Sequence, residues 1–291
     1  MKNQITYSKI IAGTMTWGSW GKGLSATEMA ALMHHCLNIG ISTFDHADIY
    51  GGYTNEAAFG IAFEESGIPR EKIQLITKCG IQYVCEARDN TVKHYDYSRD
   101  YIIWSAEESL RNLRTEFLDL FLLHRPSPLM QPEEIAEAIA QLKKSGKIRE
   151  FGVSNFTPAQ IKMLETVIPV NGNQVEYSLT ADKVMYDGTL DDCITHGRMA
   201  MAWSPLGAYF KDANERADRI REVLPKLTEK YQADASQLLL AWILRHPCRI
   251  HPVVGTTDQG RLKNAVDAVD IEIDVEDWFT LLTASQGHKV P

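Results

Sequence analysis

Phe44-Asp45-His46-Ala47-Asp48-Ile49-Tyr50-Gly51 ends a short apolar run on an acid and sets a tyrosine five residues further on, in a loop flanked by glycine. Two later runs end in the same way. Ile73-Gln74-Leu75-Ile76-Thr77 stops at Lys78, and Leu118-Asp119-Leu120-Phe121-Leu122-Leu123 stops at His124. In a parallel α/β protein the carboxyl ends of the strands open on one pocket. An acid, a phenol, an amine and an imidazole at such ends therefore point to one assembled site.

Outward from these runs, the chain reads as strands alternating with helices. Strands are predicted at 10–15, 43–45, 73–77, 118–124, 150–154, 173–177, 200–204 and 252–255. Most are short, apolar and unalternating, as strands covered on both faces should be. Helices are predicted at 27–37, 100–113, 132–144, 158–167, 236–246 and 258–266. The third opens on Pro132 with two glutamates and closes on lysines before Gly146, in agreement with the helix dipole and its stop signals. Eight such units average about 36 residues each, and a (β/α)8 TIM barrel needs roughly 250. The expected architecture is thus a single-domain barrel over residues 1–291. Long loops are expected over its active face at about 80–99 and 207–216, with a closing helix and strap from 278 to the end.

Gly21-Lys22-Gly23-Leu24-Ser25-Ala26 supports a rival fold. It fits the loose GxGxxG/A pattern, and Asp45 follows near the spacing of a ribose-binding acid. A two-domain dinucleotide fold competes on that basis, although alternation running to the C-terminus favours closure into a barrel.

Composition narrows the function. The net charge is −8, which disfavours a general role on nucleic acid. No apolar run reaches 18 residues and no basic-plus-apolar leader is present, so the expectation is a cytoplasmic protein without a membrane partner. The five cysteines lack any CxxC pair and are expected as reduced thiols, with Cys79 a pocket-wall or packed side chain. His34-His35 and Cys79…Cys85 lack metal-ligand spacing, so no metal is expected.

The four strand-end residues suit one chemistry. Tyrosine is a poor acid at neutral pH, and a nearby ammonium favours the phenolate. Lys78 can do this for Tyr50, Asp45 can hold Lys78, and His124 can donate to a substrate oxygen. Such a set protonates an oxygen that is gaining negative charge. Hydride addition to a carbonyl makes that oxygen, but the hydride must come from a nicotinamide cofactor. A Schiff base on Lys78 is the rival chemistry, weakened because an amine held by Asp45 stays protonated.

At this point a family becomes recognisable. Gly13-Thr14-Met15, Phe44 to Gly51, Ile76-Thr77-Lys78-Cys79-Gly80, Leu122-Leu123-His124-Arg125-Pro126, Gly146-Lys147-Ile148-Arg149, Gly152-Val153-Ser154-Asn155-Phe156 and Trp203-Ser204-Pro205-Leu206-Gly207 resemble the aldo-keto reductases, from residue 10 to about 270. Asp-His-Ala-Asp-Ile-Tyr-Gly-Gly-Tyr and the ending Val290-Pro291 resemble the bacterial YdhF-like branch. The resemblance implies a barrel that binds NADPH/NADP+ without a Rossmann domain and reduces a small-molecule aldehyde or ketone. It implies Tyr50 as general acid, Lys78 and Asp45 as its assistants, and His124 as the group that orients the carbonyl. It assigns Ser154, Asn155 and Gln174 to the nicotinamide carboxamide, Trp203 to its ring, and Thr14 and Met15 to the ribose side. Some members of the family act as cofactor-sensing subunits, so a redox sensor with little turnover is the alternative function. A monomer or weak homo-oligomer is expected.

The phosphates of such a cofactor have two loops to meet. Ser204-Pro205-Leu206-Gly207 offers a hydroxyl and backbone N–H groups, and Gly255-Thr256-Thr257-Asp258 leads into a helix N-terminus. Arg261, one turn in, suits a 2′-phosphate and points to NADPH over NADH. Many relatives carry Lys or Ser at the position of Gly255 and Asn at that of Ala265, so this chain departs from the family at the adenine end. Trp17, with Trp20, Tyr53 and Tyr83 as further candidates, is expected to line an aromatic substrate pocket.

Overall fold

Short apolar runs that lack alternation become strands buried on both faces, and eight of them close on themselves. The structure, a computed structural model, describes residues 5–211 and 214–291. Its strands are β1 (Ile11–Gly13), β2 (Thr43–Asp45), β3 (Gln74–Cys79), β4 (Ile81–Gln82), β5 (His94–Tyr95), β6 (Leu118–Leu123), β7 (Ile148–Ser154), β8 (Gly172–Glu176), β9 (Met199–Trp203) and β10 (His251–Val254). Eight of these, all but β4 and β5, form a closed parallel barrel in the order β1-β10-β9-β8-β7-β6-β3-β2. All eight expected strands are present, each end within two residues of its predicted position. Barrel closure removes the two-domain reading. Gly21 and Gly23 lie in the turns between β1 and the first helix, and Asp45 is engaged by a lysine.

The helices are α1 (Ala26–Asn38), α2 (Asn55–Ser66), α3 (Arg99–Asn112), α4 (Pro132–Lys144), α5 (Pro158–Leu164), α6 (Thr189–His196), α7 (Glu215–Tyr231), α8 (Ala235–Leu244), α9 (Gln259–Asp267) and α10 (Val275–Gln286). Three of them escape the sequence reading. The segment that becomes α2 has an unbroken apolar centre from Ala57 to Phe63 that shows no helical period, carries Gly60 within it and has no side-chain cap bond at Thr54. Its position is set by tertiary packing: a Cβ at Gly60 would lie 1.9 Å from the carbonyl oxygen of Asn112, so only glycine lets α2 meet the end of α3. Pro225 sits inside α7 and removes one backbone bond. The helix persists because Ala217, Ile220, Leu224 and Leu227 bury one stripe of it against the barrel. The short α6 follows Gly188 and has no side-chain cap bond.

The expected loop at 80–99 contains the antiparallel hairpin β4–β5. Tyr97 anchors it, donating to the carbonyl of Arg125 at 2.6 Å and lying where a Cβ at Gly80 would be, 2.0 Å from the ring. The loop expected at 207–216 lies partly outside the described residues, at 212 and 213. The C-terminal end of α10 is tied to the loop after β8, where Gln286 donates to Asp182 at 3.0 Å. Residues 288–291 are exposed beyond it. Among the described residues no helix is long and apolar enough to cross a membrane.

Inside the barrel, Ile11, Ile76, Leu120, Leu122, Met201 and Val253 form a separate apolar cluster. At the amino ends of the strands Asp119 accepts from Arg70 at 2.7 Å, from Arg149 at 3.1 Å and from the backbone of Leu75 at 2.9 Å. Tyr7 donates beside it to Glu150 at 2.9 Å.

Candidate active site

Side chains alternate across a strand, so residues two apart share a face. Ile76 faces the interior cluster, and Lys78 is two residues on; Leu122 faces it, and His124 is two residues on. Met201 leads to Trp203 by the same step. The polar side chains therefore form a layer directly above the apolar one, at the carboxyl ends of the strands.

Lys78 is fully buried and its ammonium is fully used. It donates to Asp45 Oδ2 at 2.8 Å, to the His46 carbonyl at 2.7 Å and to the Tyr50 hydroxyl at 3.1 Å. Three N–H donors meet three oxygens. The other oxygen of Asp45 accepts from Gln174 Nε2 at 2.8 Å. Burial alone would depress the Lys78 ammonium, but Asp45 and then Tyr50 reverse this and hold its pKa above the usual value. An amine held in this way is no free nucleophile, which argues against the Schiff-base chemistry.

Tyr50 corrects one expectation. Burial raises the phenol pKa, and the opposing pull of Lys78 does not overcome it, so the net shift is upward. Tyr50 is thus held as the neutral phenol, the proton-bearing form. His124 lies edge-on to it, with ring centroids 6.1 Å apart. Burial, then Lys78, Arg125 and Lys93, drive the His124 pKa well below its ordinary value. The imidazole is neutral, and its buried Nδ1 has no hydrogen-bond partner.

The neighbouring strand ends bring the other named residues together. Ser154 Oγ donates to the Gln174 carbonyl at 2.8 Å, Asn155 Nδ2 donates to Ser154 Oγ at 2.8 Å, and Trp203 Nε1 donates to Asn155 Oδ1 at 2.9 Å. Asn155 and Ser204 have φ of +63° and +50°, two non-glycine residues in the left-handed region at one rim. Ser204, Pro205, Leu206 and Gly207 form a turn closed by Gly207 N–H donating to the Ser204 carbonyl at 2.8 Å. At the next strand end, after β10, Gly255 is exposed, and α9 begins after Asp258, whose carboxylate accepts from the Arg261 amide at 2.8 Å. The Arg261 guanidinium is exposed and has no hydrogen bond or ion pair among the described residues. Met15 is 43% exposed, whereas Thr14 is buried, with its hydroxyl bonded to the Asp45 carbonyl at 3.0 Å and to His46 Nδ1 at 2.8 Å. Asn264 is spent on Asp234, and Ala265 is buried.

Trp17 is not a pocket residue. It is fully buried, 6.0 Å from the rings of both Phe44 and Phe59, and belongs to the packing between barrel and helices. Three residues later Trp20 is 41% exposed and lies 6.4 Å from Tyr50 and 5.6 Å from Tyr83. The aromatic wall beside the phenol is therefore Trp20 and Tyr83, while Tyr53 braces the hairpin by donating to the Ile81 carbonyl at 2.9 Å. Sequence reasoning missed Asp48 and Glu56, both buried behind the Tyr50 loop. No sequence signal marked them, because α2, which carries Glu56, is itself one of the helices that escape the sequence reading. A cavity of about 480 Å³ lined by Arg70, Arg114 and Phe117 lies at the amino ends of the strands, away from this chemistry, and its arginines are paired with Asp119 and Glu64.

With this geometry established, comparison with known proteins agrees. The Aldo/keto reductase family model matches residues 9–284. The oxidoreductase YcsN of Bacillus subtilis (strain 168) is 41% identical, covering all of this chain and 98% of that protein. The oxidoreductase YdhF of Escherichia coli (strain K12) is 39% identical over 98% and 96% of the two chains. The glycerol dehydrogenase structure from Gluconobacter oxydans shares the fold, with a TM-score of 0.84, 23% identity and coverage of 98% and 94%.

Proposed function

This chain belongs to the aldo/keto reductase family, and on that premise we propose that it reduces an aldehyde or ketone to the alcohol with NADPH, Tyr50 acting as the general acid. The observation that carries the reading is the bond from Lys78 to Tyr50 at 3.1 Å, within an ammonium whose other two donors are satisfied. The Tyr50 oxygen accepts from Lys78, which leaves its own hydrogen to be given to a substrate oxygen. Neutral His124 donates a second hydrogen bond to that oxygen. As negative charge develops on it, the phenol proton transfers, and the phenolate left behind rests against the Lys78 ammonium. Asp45 keeps that ammonium charged and aimed.

The rim residues fit a nicotinamide dinucleotide. Arg261 offers an unpaired guanidinium for a 2′-phosphate, Gly255 leaves open space beside it, and the left-handed backbone at Asn155 and Ser204 flanks Trp203. Ser154, Asn155 and Gln174 would hold the carboxamide, Trp203 the ring, Met15 and the Thr14 backbone the ribose side, and Ser204–Gly207 with Thr256 and Thr257 the phosphates. Bound there, the cofactor supplies the hydride. Trp20 and Tyr83 favour a hydrophobic or aromatic carbonyl compound.

The test is NADPH oxidation over a panel of aldehydes and ketones by the native enzyme and by Tyr50→Phe. Turnover that Tyr50→Phe abolishes while it still binds NADPH supports the proposal. Tight NADPH binding with no turnover on any carbonyl refutes it in favour of a sensor.

A further inference from the structure

A second pocket lies on the far side of the Tyr50 loop, between that loop and helix α3, with a volume of about 310 Å³. Its floor is acidic. Asp48 is 7% exposed and Glu56 3%, and both line it. Glu56 accepts from Thr77 at 2.6 Å. Asp48 Oδ2 accepts from Ser105 at 3.2 Å and from Tyr101 at 3.4 Å, but Oδ1, equally buried, has no hydrogen-bond partner. A buried carboxyl oxygen without a partner is left with its desolvation uncompensated, and a ligand that supplies a donor compensates it.

The walls identify the sign of that ligand. Arg88 lies over the ring of Tyr53 at 4.3 Å and over that of Trp104 at 4.4 Å, so the aromatic sides already accommodate a cation. Arg88 acts on Asp48, and Lys78 on Glu56, only through space; Arg88 forms no ion pair among the described residues, and Asp48 Oδ1 is left without a donor. Glu108 at the rim is paired with Arg111. A metal ion is disfavoured, since no cluster of three or more metal-ligating side chains occurs among the described residues. An ammonium needs fewer oxygens and suits the partly aromatic wall.

We propose that this pocket binds a small organic cation through a primary ammonium group, which donates to Asp48 Oδ1 with Glu56 as its second counter-charge. Burial, and then Glu56, push the Asp48 carboxyl up to about 8, and burial pushes Glu56 up to about 7. Near neutral pH the floor therefore carries a proton that an arriving ammonium displaces to solvent. The other charged or titratable groups that face it are Glu108 and Tyr101 on α3, Tyr53 on the Tyr50 loop, Arg88 and Tyr97 from the hairpin segment, and Lys78 and Cys79 on β3. The proposal is independent of the reaction at Tyr50. It is nevertheless adjacent, because the Asp48 amide donates to the Lys78 carbonyl at 3.0 Å.

The test is calorimetric titration of the whole protein with 1,4-diaminobutane near neutral pH, in two buffers of different protonation enthalpy. 1,4-Butanediol and potassium chloride at matched ionic strength serve as controls. The expected result is saturable binding with proton release, weakened about tenfold or more in Asp48→Asn, and no binding of the diol. Binding of the diol as tight as that of the diamine overturns the proposal, as does an affinity unchanged in both Asp48→Asn and Glu56→Gln, or no saturable binding. The diamine–diol comparison on the native chain decides the matter even if a variant fails to fold.

Discussion

Lys78→Met tests the catalytic reading and the electrostatics behind it together. The Lys78 ammonium is 3.1 Å from the Tyr50 oxygen. At that separation and an effective dielectric constant of about 20, a full charge on the phenolate is stabilised by roughly 5 kcal/mol. A transition state with about half the proton transferred uses roughly half of this, so loss of the ammonium should lower kcat about 100-fold. The substitution also strands Asp45, whose buried ion pair with Lys78 spans 2.8 Å. Breaking such a pair from one side costs about 3–5 kcal/mol of stability, and a rate loss could then be mistaken for unfolding. The double variant Lys78→Met/Asp45→Asn separates the two effects, because it removes the stranded charge and leaves the phenol without its ammonium. Thermal melting should show the single variant strongly destabilised and the double variant largely restored. Steady-state kinetics on a responsive carbonyl should show both slow to a similar degree. A double variant that recovers kcat along with stability, or a folded single variant within threefold of the native kcat, would refute the reasoning.

Three further outcomes follow from the same geometry. Arg261→Ala should raise KM for NADPH about 10-fold to 100-fold and leave that for NADH nearly unchanged, since a charge-assisted hydrogen bond contributes about 1.5–3 kcal/mol; the ratio of the two KM values is the measurement. Trp17→Ala should cost about 3–5 kcal/mol in denaturant unfolding with little change in substrate KM, whereas Trp20→Ala should do the reverse with an aromatic aldehyde. For pH, Asp48 and Glu56 titrate at about 8 and about 7 in the fold, against ordinary values of 3.8 and 4.5. The folded state holds the extra protons, so stability falls as pH rises through that window, by up to about 1.4 kcal/mol per pH unit for each proton. His46, lowered to about 3 from 6.5, acts in the opposite sense and only below about pH 6.5. Melts between pH 6.5 and 8 should therefore show a decline that Asp48→Asn flattens, and an unchanged slope would count against the buried carboxyl pair as its source.

The barrel and its four central residues were legible for one physical reason. Strands covered on both faces are written as apolar runs, so Asp45, Lys78 and His124 stand out where those runs stop. The two tryptophans were not legible in the same way. Trp17 and Trp20 share an irregular loop, where no period says which ring turns inward. That choice is made by Phe44 and Phe59, the latter on α2, a helix whose pattern is hidden by its unbroken apolar centre and Gly60. In α7 the Pro225 signal was overridden by a buried stripe. The nearness of Lys78 to Tyr50 could be anticipated, but not the direction of the phenol shift, which is set by how much water the fold removes around it.

The six-residue apolar layer beneath the chemistry makes the barrel a chamber with one door. Ile11, Ile76, Leu120, Leu122, Met201 and Val253 carry no dissociable proton to pass toward the base; the Met201 sulfur accepts from Gln174 Nε2 at 3.8 Å but has none to give. In the proposed mechanism, the proton that Tyr50 gives up is then replenished from the rim, along the route by which substrate enters and product leaves. Reprotonation and product departure then share a single passage, and changes to the Arg70–Asp119–Arg149 base can be made for robustness without rewiring the supply of protons.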